Sequence, residues 1–194
     1  MITIRKATEE DAAFIAEGIY NAFLLEEQEL YNQWINTLKK VCAQKDTHYS
    51  YTNTFIAEIN GQTAGMMITV NGAHYRVQRD RMYPQLKTLF DIAFGNGWDN
   101  MEDEAQSGEF YIDSLSGSLP YQRQGIGTAL IEKAKQLARE QGIEIVTLAV
   151  EPMNKAKKLY QKLGFKHQKN ITIFNEEYHL YAAPSFPLKI NEEV

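Results

Sequence analysis

Residues 109–141 read EFYIDSLSGSLPYQRQGIGTALIEKAKQLAREQ, and the fold turns on how this stretch is parsed. Glu109–Gly117 has strand character through Phe110, Tyr111, Ile112 and Leu115. Gly125–Gln141 has helix character, because Ile126, Leu130, Ala134 and Ala138 recur every four residues, joined by Ile131 and Leu137. Between strand and helix stands Gln122-Arg123-Gln124-Gly125-Ile126-Gly127-Thr128. The first turn of a helix exposes N–H groups with no intrahelical partner, and the macrodipole adds roughly half a positive charge there. Glycines remove the Cβ atoms that would hold an anion away from those amides. The stretch therefore predicts a diphosphate cradle, although a tight strand-to-helix turn has the same letters.

Two other nucleotide loops fail against this sequence. A P-loop needs a lysine after its last glycine, and Gly127 is followed by Thr128-Ala129. A dinucleotide fingerprint needs a third small residue where Leu130 stands, and an N-terminal βαβ unit that the chain lacks. Gly117 ends the strand, and a glycine there predicts a bulge that turns main-chain groups toward a ligand.

Working outward, Ile2–Arg5 reads as a first strand and Thr8-Glu9-Glu10-Asp11 as a capping box. Phe14, Ile15, Gly18, Ile19, Ala22 and Phe23 follow at helical spacing, as do Tyr31, Trp34, Ile35, Leu38, Val41 and Cys42. Strands at 55–59 and 64–70 flank Asn60-Gly61, a dipeptide suited to a tight hairpin turn. Segment 72–108 is irregular, with a helix expected only around 84–94. Downstream, 143–150 reads as a buried strand, 152–163 as a helix, and 166–174 and 177–183 as two closing strands. Gly142 and Gly164 are placed to end the two helices. The fold class expected is mixed α/β (α+β), with helices flanking a central sheet, in one domain over residues 1–194.

Composition narrows the function. The chain has 194 residues, net charge −5, and no apolar run long enough to span a membrane. A single cysteine, Cys42, excludes an internal disulfide and any multi-cysteine metal site, and with the lack of a leader it predicts a cytoplasmic setting. The negative charge argues against nucleic acid as a partner. Residues 121–169 nevertheless hold ten Lys/Arg against four Asp/Glu, and the remainder ten against twenty-one. A basic third beside an acidic two-thirds suits an anionic cofactor and a cationic substrate; chance distribution over solvated faces is the plainer account.

These residues resemble the GNAT superfamily of acetyl-CoA-dependent N-acetyltransferases. Gln122 through Gly127 is similar to its cofactor motif Q/R-x-x-G-x-G/A, and Ala156-Lys157-Lys158-Leu159-Tyr160-Gln161-Lys162-Leu163-Gly164-Phe165 to its A-x-x-L-Y-x-x-x-G-F helix. Ile4–Asp11 and the order of elements, β-α-α-β-β-β-α-β-α-β-β, also look like the family. The resemblance implies a mostly antiparallel sheet, acetyl-CoA as cosubstrate, an amine acceptor, and no metal. A homodimer stays open. Leu115-Ser116-Gly117 stands where the family often has L-A-V. An asparagine, Asn154, sits one position later than usual. Segment 72–108 is longer than the common connection and is expected on the acceptor side.

Carried over, the resemblance gives the main chain of Leu115 and Gly117 to the pantetheine arm. It gives Arg123, Gln124, Gly125, Ile126, Gly127 and Thr128 to the diphosphate, and Ser116, Gln122 and Asn154 to further cofactor contacts. Tyr160 would place its hydroxyl near the thioester sulphur as general acid; the alternative is a core tyrosine on the Ala156/Leu159/Leu163 stripe. An acceptor amine with a pKa of about 10.4 must lose a proton before attack. Asp113, two residues before Leu115 and so on the same strand face, is the candidate base, with a buried structural aspartate as the alternative. His179 is a second candidate. His48, His74 and His167 show no metal-ligand spacing and read as structural. Tyr75, Tyr83 and Trp98 read as a local core rather than a pocket lining, and Glu102-Asp103-Glu104 as a solvated acidic turn rather than an attractor of cations. The rival functions are an acyl-CoA-binding sensor without catalysis and an interaction module that binds no nucleotide.

Overall fold

The computed structural model describes residues 1–23 and 30–186. In chain order the elements are β1 (Ile2–Lys6), α1 (Ala12–Ala22), α2 (Tyr31–Cys42), β2 (Thr54–Ile59), β3 (Gln62–Asn71) and α3 (Gly72–Phe94). There follow β4 (Glu109–Gly117), α4 (Ile126–Glu140), β5 (Ile145–Val150), α5 (Lys157–Lys162), β6 (Lys166–Ile173) and β7 (Glu176–Pro184). The seven strands form one sheet in the order β1-β2-β3-β4-β5-β7-β6. Every neighbouring pair is antiparallel except β4–β5. The mixed α/β class and the mostly antiparallel sheet are as expected.

Strand alternation sends successive side chains to opposite faces, and each face carries its own core. On one side Ile56, Met66, Ile68 and Leu180 pack with Ile15, Ile19, Trp34, Leu38, Leu86 and Phe90 from α1, α2 and α3. On the other, Ala57, Met67, Ile112, Val146 and Leu148 pack with Ile126, Leu130, Ile131, Ala134 and Ala138 of α4. That is the stripe read from the sequence. Leu130 and Ile131 are fully buried, each contributing about 1.5–3 kcal/mol. Asn60 and Gly61 both take positive φ, 53° and 75°, and close the β2–β3 hairpin as expected. Asp11 accepts the Thr8 N–H at 2.8 Å, the carboxylate half of the expected capping box.

Segment 72–108 departs from expectation. Instead of a short helix from Pro84, α3 runs 23 residues with Pro84 inside it. Asn71 caps its start by accepting the Ala73 N–H at 3.0 Å. Arg76, Gln78, Arg79, Asp80 and Arg81 interrupt the apolar stripe between Tyr75 and Met82, which masks the helical period in the sequence. Gly72 is forced: a Cβ there would lie 1.8 Å from the Gln106 carbonyl oxygen. The start of α3 is thus pressed against the segment leading into β4.

Two further expectations shift. The helix expected from 152 begins only at Lys157, because residues 152–156 form turns. The bulge expected at Gly117 lies elsewhere: Gly117 pairs in register with Gly65, while the register slips between Met67↔Leu115 and Thr69↔Ile112.

Candidate active site

The displaced bulge has a direct consequence for side-chain direction. An extra residue between Ile112 and Leu115 reverses the alternation, so Asp113 and Leu115 lie on opposite faces. Leu115 packs into the α4 core with Ile112, its side chain 4.0 Å from where a Cβ on Gly127 would stand. Asp113 instead points with Tyr111 to the α3 side, where it meets His48. The shared face expected for Asp113, Leu115 and Gly117 is therefore corrected.

The bulge also falls where the sheet divides. β4 pairs with β5 only from Glu109↔Ile145 to Ile112↔Leu148. Beyond Ile112 the two strands part, leaving residues 113–117 without a strand partner on that side among the described residues, while β3 pairs with Leu115, Ser116 and Gly117 on the other. The opening leads to two adjoining cavities that share Leu115, Ser116, Gln122 and Ala156.

The larger, of about 680 Å³, is lined by Leu115, Ser116, Gly117, Gln122, Arg123, Gly125, Ile126, Gly127 and Thr128, with Lys155 and Leu159 opposite. Among the loop residues expected to meet an anion, Gln124 does not line it; its amide turns back to the Pro120 carbonyl at 3.4 Å. Arg123 and Gly125 take positive φ, 61° and 88°, which turns the chain sharply into α4. The bond from the Ala129 N–H to the Gly125 carbonyl, 3.0 Å, opens the helical ladder. The amides of Ile126, Gly127 and Thr128 precede it, as the first turn of a helix requires. Space is set by small residues: a Cβ on Gly127 would lie 3.0 Å from Leu159 Cδ2, and one on Gly65 2.7 Å from Ile126 Cγ2. Gly65 was not singled out from the sequence, since nothing in β3 signals that a helix end must approach it.

The smaller cavity, of about 460 Å³, is lined by a chain of polar groups and by aromatic walls. His48 Nε2 lies 2.7 Å from Asp113 Oδ1, with the His48 side chain 3% exposed. Ser114 Oγ donates to Asp113 Oδ2 at 2.6 Å. Glu104 receives Tyr75 OH at 3.0 Å and a second bond from Tyr111 OH. Burial first, and the Asp113 carboxylate second, push the Glu104 carboxyl up to about 7. Tyr160 also lines this cavity, and burial alone pushes its hydroxyl up to about 12.

Glu104 and His48 are the site residues that sequence reasoning missed. The acidic triplet is not a solvated turn. Glu102 pairs with Thr172 of β6 through the Glu102 N–H to the Thr172 carbonyl, 3.0 Å, and the Thr172 N–H to the Glu102 side chain, 2.9 Å. Asp103 receives Arg79 at 2.7 Å. Held at both neighbours, Glu104 is carried inward. Only the flanking Tyr75 and Tyr111 could have signalled it, and they lie 29 and 7 residues away.

Other candidates fall into place. Asn154 lines the smaller cavity rather than the loop cavity, and its side-chain oxygen caps the Ala156 N–H at 2.9 Å. His179 lines neither cavity; it sits on the outer strands 4.9 Å, centroid to centroid, from His167. Tyr83 stacks on Trp98 at 4.1 Å, as a local core would, yet Trp98 and Tyr75 also wall the smaller cavity. Phe174 completes that wall. It holds φ of 53° in the β6–β7 turn, a left-handed conformation costing about 1–2 kcal/mol, offset by stacking on Phe94 at 4.5 Å and Phe90 at 5.1 Å. Among the described residues no cluster of three or more His, Cys, Asp or Glu is placed to hold a metal ion, and no helix is long and apolar enough to cross a membrane.

Comparison with known proteins agrees with this geometry. Residues 16–165 match the model of the acetyltransferase (GNAT) family. A curated relative, the N-alpha-acetyltransferase MAK3 of Arabidopsis thaliana, is 36% identical over 91 residues; the match spans 46% of each chain, about half the relative's length. Among solved structures, an N-acetyltransferase from Staphylococcus aureus Mu50 superposes with a TM-score of 0.76 at 22% identity, covering 93% of this chain and 100% of that one. The PaiA N-acetyltransferase of Thermoplasma acidophilum, solved with coenzyme A, gives 0.58 at 16% identity, covering 95% and 99%. These likenesses carry the fold.

Proposed function

The chain belongs to the acetyltransferase (GNAT) family and is an acetyl-transferring enzyme, and from that premise we propose that it moves an acetyl group from acetyl-CoA directly to a primary amine of a small molecule, amino acid or peptide. The observation that carries this reading is the parting of β4 from β5, with unpartnered amides on one side and a carboxylate-lined cavity on the other.

The residues present fit the cosubstrate. The amides from Arg123 to Thr128 and the α4 dipole would hold the diphosphate, and the glycines leave room for it. The free edge of β4, through Leu115 and Gly117, would hydrogen-bond the pantetheine arm. That leads the thioester to the wall shared by both cavities, beside Tyr160. Gln122 lies on that wall as well. Asn154, spent in part as a helix cap, is proposed to meet the thioester end rather than the diphosphate.

In transfer, an N–C bond forms and the C–S bond breaks, so one proton must leave the amine and one must reach the sulphur. Tyr160, which lines the smaller cavity, would donate a hydrogen bond or proton to sulphur, and its raised pKa keeps it in the donor form. For the base we propose Glu104, with Asp113 one step behind it. Both carboxylates have each oxygen engaged, Asp113 by His48 and Ser114 and Glu104 by Tyr75 and Tyr111; Glu104 is preferred because burial and the Asp113 charge push its carboxyl up to about 7. Asp113 then acts through its charge, keeping Glu104 a stronger base. Holding the amine and thioester in line adds further acceleration, about 7 kcal/mol or more in ideal cases.

Calorimetric titration with CoA tests the cradle. One-to-one binding is expected, weakened when Gly125→Val closes the turn; no heat with the wild-type protein sinks the reading.

A further inference from the structure

We infer that the acceptor is an aliphatic diamine or polyamine, whose second ammonium is held at Glu151 while the first reacts at Glu104. This rests on the transferase reading above and narrows it. Two carboxylate stations line the smaller cavity. One is Glu104 with Asp113; the other is Glu151, at the end of β5. Tyr178 lines the same cavity, and burial first, then the charges of Glu151 and Glu104, push its hydroxyl up.

Among the described residues the single Lys or Arg on the cavity wall is Arg79, and its charge is already engaged, by Asp103 at 2.7 Å and Asp80 at 3.1 Å. His48 bonds Asp113. An amino-acid acceptor would bring a carboxylate into this cavity with no uncommitted cation among the described lining residues to meet it, and burying an unpaired charge is costly. An alkyl diamine has the opposite fit. Its ammonium groups meet carboxylates, and its methylenes and charges run between the rings of Tyr49, Trp98, Tyr111 and Phe174, where cation–π attraction adds to apolar burial.

The test compares 1,4-diaminobutane and spermidine with n-butylamine, glycinamide, free lysine and a short peptide, as release of CoA thiol at saturating acetyl-CoA. The diamine should exceed the monoamine in kcat/KM by about tenfold or more, the value of one charge-assisted contact. Glu151→Gln should raise the diamine KM by a similar factor, and Glu151→Asp should restore part of it. Equal use of butylamine and diaminobutane, or a preference for lysine or the peptide, overturns the inference and leaves the transferase reading standing. So does acetyl-CoA binding without thiol release from either polyamine. Failure of acetyl-CoA to bind overturns the transferase reading itself.

Discussion

The pH dependence of turnover separates Glu104 from Asp113 as the base. With its carboxyl pushed up to about 7, Glu104 is roughly one-tenth ionised at pH 6 and about nine-tenths at pH 8, so kcat/KM should rise roughly tenfold between them. An alkylammonium with a pKa of about 10.4 stays protonated throughout that interval, which assigns the inflection to the protein. Thiol release, followed from about pH 5.5 to 8.5 at constant ionic strength, reads it directly. Glu104→Gln keeps an oxygen for one tyrosine and cannot take a proton; kcat/KM should fall about 10²–10⁴-fold and lose the inflection. Asp113→Asn keeps the base and removes the second cause of its shift, so the limb should move to lower pH rather than vanish. If Asp113→Asn erases the limb while Glu104→Gln retains it, Asp113 is the base and the assignment is wrong.

The same carboxyl governs stability. A group whose pKa is raised by folding binds its proton more tightly in the native state, so the wild-type protein should lose stability as pH rises from about 4.5, the unfolded value, to about 7; urea midpoints should show this in the wild type and not in Glu104→Gln. Tyr160→Phe should bind CoA normally by calorimetry and turn over about 10²-fold or more slowly; unchanged turnover would remove Tyr160 as the acid. Gly72→Ala sets a Cβ 1.8 Å from the Gln106 carbonyl, two residues from Glu104. It should cost about 1–3 kcal/mol in urea unfolding and lower kcat while leaving CoA affinity intact. CoA at about 100 times its Kd should stabilise the fold by roughly 2.7 kcal/mol, read as a rise in Tm.

The sheet and α4 were legible because their signals are local. Period-two strands, the four-residue repeat from Ile126 to Ala138, and the Asn60-Gly61 turn each declare themselves within a few residues. The glycine-bearing turn into α4, with Gly125 at positive φ, was legible for the same reason. Helix α3 was not, since Arg79 is half-buried against Tyr75 and Asp103, and its charge breaks the apolar stripe that marks a helix. The face carrying Asp113 was misread because one extra residue in β4 inverts everything upstream of it, and no letter announces a bulge opposite Ile68. Glu104 and His48 were invisible for a third reason. Their roles come from partners far along the chain, with 65 residues separating His48 from Asp113.

Four residue pairs join β4 to β5, and beyond them the seam is open. Mechanically the protein is two leaves, one of β1 to β4 and one of β5 to β7, sewn together at a single end. An arm laid along the loose margin would stitch the remainder and stiffen one leaf against the other. Amide exchange should then slow on CoA addition at 113–117 far more than at 109–112, and the unliganded protein should breathe along that line. A substrate bound there would also set the alignment of groups contributed by both leaves, among them the proposed base Glu104 ahead of β4 and the proposed acid Tyr160 beyond β5.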